Sequence, residues 1–157
     1  MIEKYMNLAL KEARKAYDKD EVPIGAVIVK DDKIIARAHN LKEKNKQACA
    51  HAEILAIQKA CKKLDAWRLE DCDMYVTLEP CCMCAGAILN SRISNVYIGA
   101  MEHKFGCCGS AHNLLNDEKF TTHANVETGF LEQECVDLLQ RFFKMRRLLV
   151  DKNRNIN

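Results

Sequence analysis

The chain has 157 residues, 48% of them hydrophobic, nine cysteines and a formal net charge of +2. That length and apolar share fit one domain with a sizeable core. An odd cysteine count in a chain this long argues against a disulfide scaffold, and the apolar runs fall far short of a membrane span.

The first residues read as a helix rather than as a charged-then-apolar leader. Within residues 2–18, Ile2, Met6, Ala9, Ala13 and Ala16 recur at steps of three and four, one buried stripe of an amphipathic helix. The thiols are expected free or metal-bound in a reducing, cytoplasmic setting. "PIGAVIVK", the turn signal "DD" and "KIIARAHN" read as a β-hairpin, followed by the polar, lysine-rich loop "LKEKNKQ". "AHAEILAIQKACKKL" predicts a helix with an apolar face at Ile54, Leu55, Ile57 and Ala60. Trp67 is expected to pack the loop behind it onto the core. "DMYVTLE" is the next strand and "CCMCAGAILN" the helix that follows, with Pro80 suited to the helix N-terminus because the amide it lacks would be unpaired there.

"SNVYIGA" is a further strand, and "ANVETGF" a short edge strand. The stretch from Phe105 to Leu115, interrupted by Gly106 and Gly109, favours no element. "LEQECVDLLQRFFKMRRLLV" closes the chain as a long amphipathic helix carrying Leu131, Cys135, Leu138, Leu139 and Phe142. The expected architecture is three-layer α/β/α: a mixed five-stranded sheet flanked by helices. One domain is expected over residues 1–150, followed by a basic, flexible tail at 151–157. From Arg141 onward there are six bases against one acid, a local charge of +5, whereas the preceding 140 residues sum to −3. Such a basic segment is most simply a solvated end, but it also suits an anionic partner such as nucleic acid.

Chemistry concentrates at "TLEPCCMCAG". Cys81 and Cys84 stand three apart at a helix start, so both sulfurs reach one ion, and the positive helix end favours thiolates. Cys82 is turned about 100° off that face and is expected as a buried small apolar residue. The "AHAE" at the other helix start supplies His51 as a third ligand and Glu53 beside the metal. Cys107, Cys108 and His112 lack metal-pair spacing. Three protein ligands leave a position open for water, which separates a catalytic zinc site from a closed structural one.

"HAE" with "PCxxC" resembles the zinc-dependent nucleoside and nucleotide deaminases. "EVPIGAVIV", "HN" at 39–40, "WRL", "YVTLEPCCMCAGAI", "SRI", "GAMEHKFGCCGS" and "FFKMRR" extend the resemblance along nearly the whole chain to the tRNA-specific adenosine deaminases of bacteria. Met101-Glu102 and Cys107-Cys108 depart from that family's pattern. The resemblance implies a cytidine deaminase-like fold, one Zn2+ on His51, Cys81 and Cys84, and Glu53 as the catalytic proton shuttle. It implies hydrolytic deamination of adenosine to inosine at the wobble position of tRNA, an arginine tRNA in particular, with the anticodon arm as partner and a homodimer as the assembly. It also implies substrate contacts from Asn40, which on its own reads as a loop cap, and from Lys104, Phe142, Phe143, Arg146 and Arg147. The two phenylalanines read from the residues alone as core. Two other functions remain open at this stage: a deaminase of a free base or nucleotide such as cytosine, guanine or dCMP, and a non-catalytic zinc-stapled binding module. The second of these needs a fourth ligand and no role for Glu53.

Overall fold

The computed structural model describes residues 1–155. α1 (Ile2–Asp18) leads into the hairpin β1 (Gly25–Lys30) and β2 (Lys33–His39), and the turn between them places Asp31 and Asp32 at positive φ, 48° and 58°. A short helix α2 (Lys42–Asn45) precedes α3 (Ala52–Leu64), then β3 (Cys72–Leu78), α4 (Cys82–Ser91), β4 (Asn95–Ala100), β5 (Asn125–Thr128) and α5 (Glu132–Arg154). The strand order is β2-β1-β3-β4-β5. β1 pairs antiparallel with both β2 and β3, while β3–β4 and β4–β5 are parallel. The sheet is therefore mixed and five-stranded, with β5 at its edge as expected.

Alternation along the strands sorts the two layers. Ala26 and Ile28, Met74 and Val76, and Val96 and Ile98 face α3 and α4, whereas Val27, Val29 and Tyr75 face α1. Tyr75 stacks on Tyr97, with ring centroids 4.7 Å apart. α5 covers the remaining part of that second face through Cys135 and Leu138.

The closest approaches are made on small residues. An added Cβ at Gly25 would stand 2.0 Å from Ala9 O and 2.6 Å from Ala13 N, so α1 crosses β1 backbone against backbone. On the opposite face α3 rests on Ala52, Ala56 and Ala60, all fully buried, with Glu53 beside them. Of the face expected at Ile54, Leu55, Ile57 and Ala60, Ala60 is fully buried, Leu55 and Ile57 are half-buried against the core, and Ile54 is half-buried beside it. The alanine spacing of four puts three methyls on one line, and the larger residues are rotated to the flank of that line.

Other expectations also need correcting. Trp67 is 58% exposed, with the Arg68 and Arg92 guanidinium groups over its ring at 4.8 and 6.0 Å. Leu69 anchors that loop instead, fully buried and with its amide donating to Ser91 O at 2.6 Å. Cys82 is exposed rather than buried: the rotation that takes it off the metal face carries it to solvent. Pro80 lies one residue before the cap, not within the first turn. The lysine-rich loop contains α2, held by a distant residue: the buried Glu21 carboxylate accepts from the amides of Glu43 (3.2 Å) and Lys44 (2.6 Å). α5 runs past residue 150 to Arg154. Of the expected tail, residues 156 and 157 lie outside the described part.

One buried polar cluster joins α1 to β2. The His39 ring lies with Nδ1 2.8 Å from Glu12 Oε2 and Nε2 2.9 Å from Lys19 Nζ. Burial, with Lys19 and Lys15 nearby, outweighs the Glu12 carboxylate and lowers the His39 pKa. A neutral imidazole that donates from Nδ1 and accepts at Nε2 satisfies all three groups. Glu12 is itself held below its ordinary value: burial raises it, but Lys15 and His39 together lower it further.

Candidate metal centre and substrate cavity

Two helix starts meet at the site. His51 is the N-cap of α3 and Cys81 the N-cap of α4, both with extended backbone and neither making a side-chain capping hydrogen bond. Cap geometry turns each side chain out along its helix axis, which brings residues thirty positions apart in sequence into contact. His51 Nδ1 lies 3.7 Å from Cys81 Sγ and 3.5 Å from Cys84 Sγ. All three donor atoms lie within 4.8 Å of one another.

These distances test the fit to zinc. Around a tetrahedral zinc ion, a sulfur at about 2.3 Å and an imidazole nitrogen at about 2.0–2.1 Å stand roughly 3.5 Å apart. The His51–sulfur separations match that edge without rearrangement, and the donor set of two sulfurs and one nitrogen is a zinc set. A second observation points the same way: Glu53 is buried, and its Oε2 is the buried side-chain oxygen or nitrogen that no protein group satisfies among the described residues. A carboxylate oxygen left free beside three donor atoms is placed for chemistry rather than for structure.

Protons are shared within the cluster. The Cys84 thiol hydrogen-bonds Cys81 and, with His51 adding to it against burial, pulls the Cys81 pKa down to about 3. Donation to Cys81, with burial, pushes Cys84 up. Contact with the Cys81 sulfur raises His51. Burial pushes Glu53 up to about 7, opposed by its backbone amide and by His51.

His51, Glu53 and Cys81 line a cavity of about 970 Å³. Its walls come from four places, the first being the ends of β3 and β4 with Leu78, Glu79 and Ala100. Val22, Ile24 and Lys42 flank the hairpin; Met101, Glu102 and Phe105 belong to the irregular segment after β4; Leu139, Gln140, Phe143, Lys144 and Arg147 come from α5. The α5 contribution is a stripe at steps of three and one, beside the core stripe of Cys135, Leu138 and Phe142.

The site residues expected from sequence divide accordingly. His51, Glu53, Cys81 and Cys84 come together. Phe143 and Arg147 line the cavity, whereas Phe142 is core, edge-on to Tyr17 at 5.9 Å. Arg146 lies over the Phe142 ring at 5.1 Å and donates to Asp20 O, beside an adjoining cleft that also holds Asn40. Asn40 acts there as the loop cap: its Oδ1 accepts from the Lys42 amide at 3.3 Å, and its Nδ2 donates to Val22 O at 3.5 Å. Lys104 is exposed and outside the cavity wall.

Sequence reasoning missed Phe105, Gln140 and Lys144 in the cavity wall. The α5 stripe carried a readable signal for the last two, and Phe105 carried none. It also missed Glu79, whose carboxylate accepts from the Ser110 hydroxyl and from the amides of Glu102, Cys108 and Ser110. Burial raises the Glu79 pKa, yet these donors outweigh it and hold the group below its ordinary value.

Residues 2–147 match the family described as MafB19-like deaminase. The tRNA-specific adenosine deaminase of Bacillus subtilis (strain 168) is 54% identical over 145 residues, 92% of this chain and 90% of the relative. That of Aquifex aeolicus (strain VF5) is 45% identical, over 92% of this chain and 95% of its own length. A solved structure from a study of A-to-I editing by tRNA:A34 deaminases at the wobble position of transfer RNA superposes with a TM-score of 0.84 at 43% identity, covering 87% of this chain and 99% of that one. A guanine deaminase from Nitrosomonas europaea superposes with a TM-score of 0.78 at 26% identity, covering 89% and 83%. The chain belongs to the MafB19-like deaminase family and, within it, to the tRNA-specific adenosine deaminases.

Proposed function

We propose that this protein deaminates adenosine to inosine at the wobble position, position 34, of a tRNA, an arginine tRNA being the first substrate to try. The observation that carries the reading is the pairing of a three-donor zinc set with a buried Glu53 whose Oε2 is unpartnered, in a cavity also lined by Lys42, Lys144 and Arg147. Bound to His51, Cys81 and Cys84, zinc would supply a Lewis acid that makes water nucleophilic at neutral pH. Glu53 accepts the proton that water gives up as its oxygen bonds to C6 of the adenine. It delivers that proton to ring N1, then takes the remaining proton from the new C6 hydroxyl and passes it to the amino group, which leaves as ammonia, so that adenosine and water become inosine and ammonia.

The cations of the cavity wall support an anionic substrate. Lys144, Arg147 and Lys42 line the cavity, and Arg146 borders the adjoining cleft with Asn40. In this reading they take the phosphates that flank one extruded nucleoside. An anticodon loop offers such a nucleoside at low unstacking cost, because its bases are already unpaired. A homodimer is part of the proposal, since two-fold dimers are the commonest closed assembly and a second subunit would extend the wall around an RNA arm. No helix among the described residues is long and apolar enough to cross a membrane. The reduced thiols suit a cytoplasmic setting.

The test is incubation with an arginine tRNA or its anticodon stem-loop, followed by nucleoside analysis for inosine at several salt concentrations. Inosine formation that weakens steeply with salt is expected, because phosphate contacts release counterions. Arg146→Ala with Arg147→Ala should raise KM more than it lowers kcat. Efficient, salt-insensitive turnover of free guanine or cytosine with no inosine in tRNA would replace this reading with a free-base deaminase. Light scattering at micromolar concentration checks the dimer.

A further inference from the structure

The segment from Met101 to Asn113 contributes Met101, Glu102 and Phe105 to the cavity wall, yet it contains neither helix nor ladder to fix it. The amides of Gly106, Gly109 and His112 bond within the segment, to Glu102 O, His112 O and Gly106 O, and others need partners elsewhere. Three of them find one carboxylate. Glu79 Oε2 accepts from the Glu102 amide at 2.9 Å, and Oε1 accepts from the amides of Cys108 and Ser110, both at 3.0 Å. The Ser110 hydroxyl donates to Oε2 and lies 2.8 Å from Glu102 O. The backbone also closes tightly over the group, since an added Cβ at Gly106 would stand 2.1 Å from Glu79 Oε2. Glu79 is 3% exposed, so this carboxylate is a buried acceptor with its lone pairs spent on one loop.

Glu79 is also the residue at which strand, metal helix and loop meet. Its own amide donates to Ala100 O at 2.8 Å, Pro80 O accepts from the Cys107 amide at 2.9 Å, and Cys81 follows directly. The loop is thereby fastened to the short stretch of chain that presents the zinc-binding sulfurs. Glu79 borders the cavity, but both of its carboxylate oxygens are engaged by the loop. From this geometry we infer that Glu79 is a positioning residue for the substrate: by gathering the 102, 108 and 110 amides it sets where Met101, Glu102 and Phe105 stand relative to the metal centre, and so governs substrate binding through the loop rather than through a carboxylate contact of its own. The inference rests on the deaminase reading of the same cavity. Only an ionised carboxylate supplies acceptors on both oxygens; a glutamine of equal reach turns one of them into a donor facing an amide.

Glu79→Gln and Ser110→Ala decide it, each compared with the wild-type chain for zinc content, for amide hydrogen exchange of peptides spanning 101–113, and for KM and kcat on the anticodon stem-loop. For Glu79→Gln the zinc content should stay at that of the wild type. Exchange in 101–113 should accelerate while peptides of β3 and α4 stay unchanged. KM should rise about tenfold or more with kcat within a few-fold, because the wall moves and the reacting groups do not. Ser110→Ala removes one donor and leaves the amides in place, so it should shift KM and exchange in the same direction by less; this second variant serves if Glu79→Gln does not fold. Zinc loss with a matching fall in kcat would make Glu79 a support of the metal helix and overturn the inference. Unchanged exchange in both variants would overturn it too. The exchange measurement needs no substrate, so a wild-type chain that formed no inosine would sink the deaminase reading while the anchoring of the loop was still judged.

Discussion

Replacing Glu53 by glutamine isolates chemistry from architecture. The side chain is 3% exposed and its Oε2 has no protein partner, so a glutamine can place its amide nitrogen at that position and keep the other oxygen as an acceptor for the Glu53 amide. Melting temperature should therefore stay within about 2–4 °C of wild type, the shift that roughly one kcal/mol produces in a chain of this size. Zinc should be retained, since the three donor atoms belong to His51, Cys81 and Cys84. Turnover should not survive. One positioned acid–base group contributes about 10²–10⁴-fold to a proton-transfer step, and Glu53 serves the water, N1 and the leaving amine in turn. A loss of at least ~10⁴-fold in kcat follows, equivalent to about 5.5 kcal/mol on the barrier. The assay is single-turnover inosine formation with enzyme in excess over stem-loop, alongside metal analysis and a thermal melt. A variant that kept its zinc and its melting temperature and lost less than about tenfold in rate would show that another group moves the protons.

Cys84→Ala should lose its zinc while Cys82→Ala keeps one equivalent per chain, because Cys84 is buried against His51 and Cys82 points to solvent; metal analysis with equal loss from both would refute the ligand set. Gly25→Ala should cost about 3 kcal/mol or more in stability, read by denaturant unfolding, because the added methyl meets the backbone of α1 at Ala9 and Ala13, which cannot rotate away. Stability should fall in mild acid. His39 and Glu12 are both lowered in the fold, so the unfolded chain binds more protons: the His39 contribution is complete above the ordinary imidazole value and is lost as pH falls below it, with the Glu12 contribution following at lower pH. His39→Gln should flatten the part that sets in as pH falls below the ordinary imidazole value, and an unchanged pH profile of unfolding would show that the imidazole is not desolvated in the fold.

What the sequence discloses and what it hides follow one physical line. The hairpin, the two helix starts at His51 and Cys81, and the edge strand rest on local signals: β-branched runs, turn residues, and side chains whose spacing along their own helix sets their direction. The grouping of His51, Cys81 and Cys84 was legible because two of them sit at helix caps and the third lies one turn along the same helix as its neighbour. The face of α3 was misread because hydrophobicity is weighed by bulk, and the residues that sit deepest there are alanines. Trp67 was misread for the converse reason, a large residue taken for an anchor while Leu69 does the anchoring. The 101–113 loop and α2 were illegible because the groups that fix them, Glu79 and Glu21, lie more than twenty positions away in sequence.

The line of alanines beneath α3 has a consequence for how variation in this protein would be interpreted. Ala52, Ala56 and Ala60 set the stand-off between the helix and the sheet, and His51 and Glu53 ride on the first turn of that helix. A valine at position 56 would be accommodated by the helix lifting and would leave a protein that is folded, apolar inside and only modestly less stable. The lift would nonetheless carry the imidazole and the carboxylate away from two sulfurs fixed on a different helix. A catalytic constellation tolerates about half an ångström of such drift. Intolerance at these three positions would resemble a demand for stability, whereas the quantity under selection would be the length of the gap that a methyl group fills.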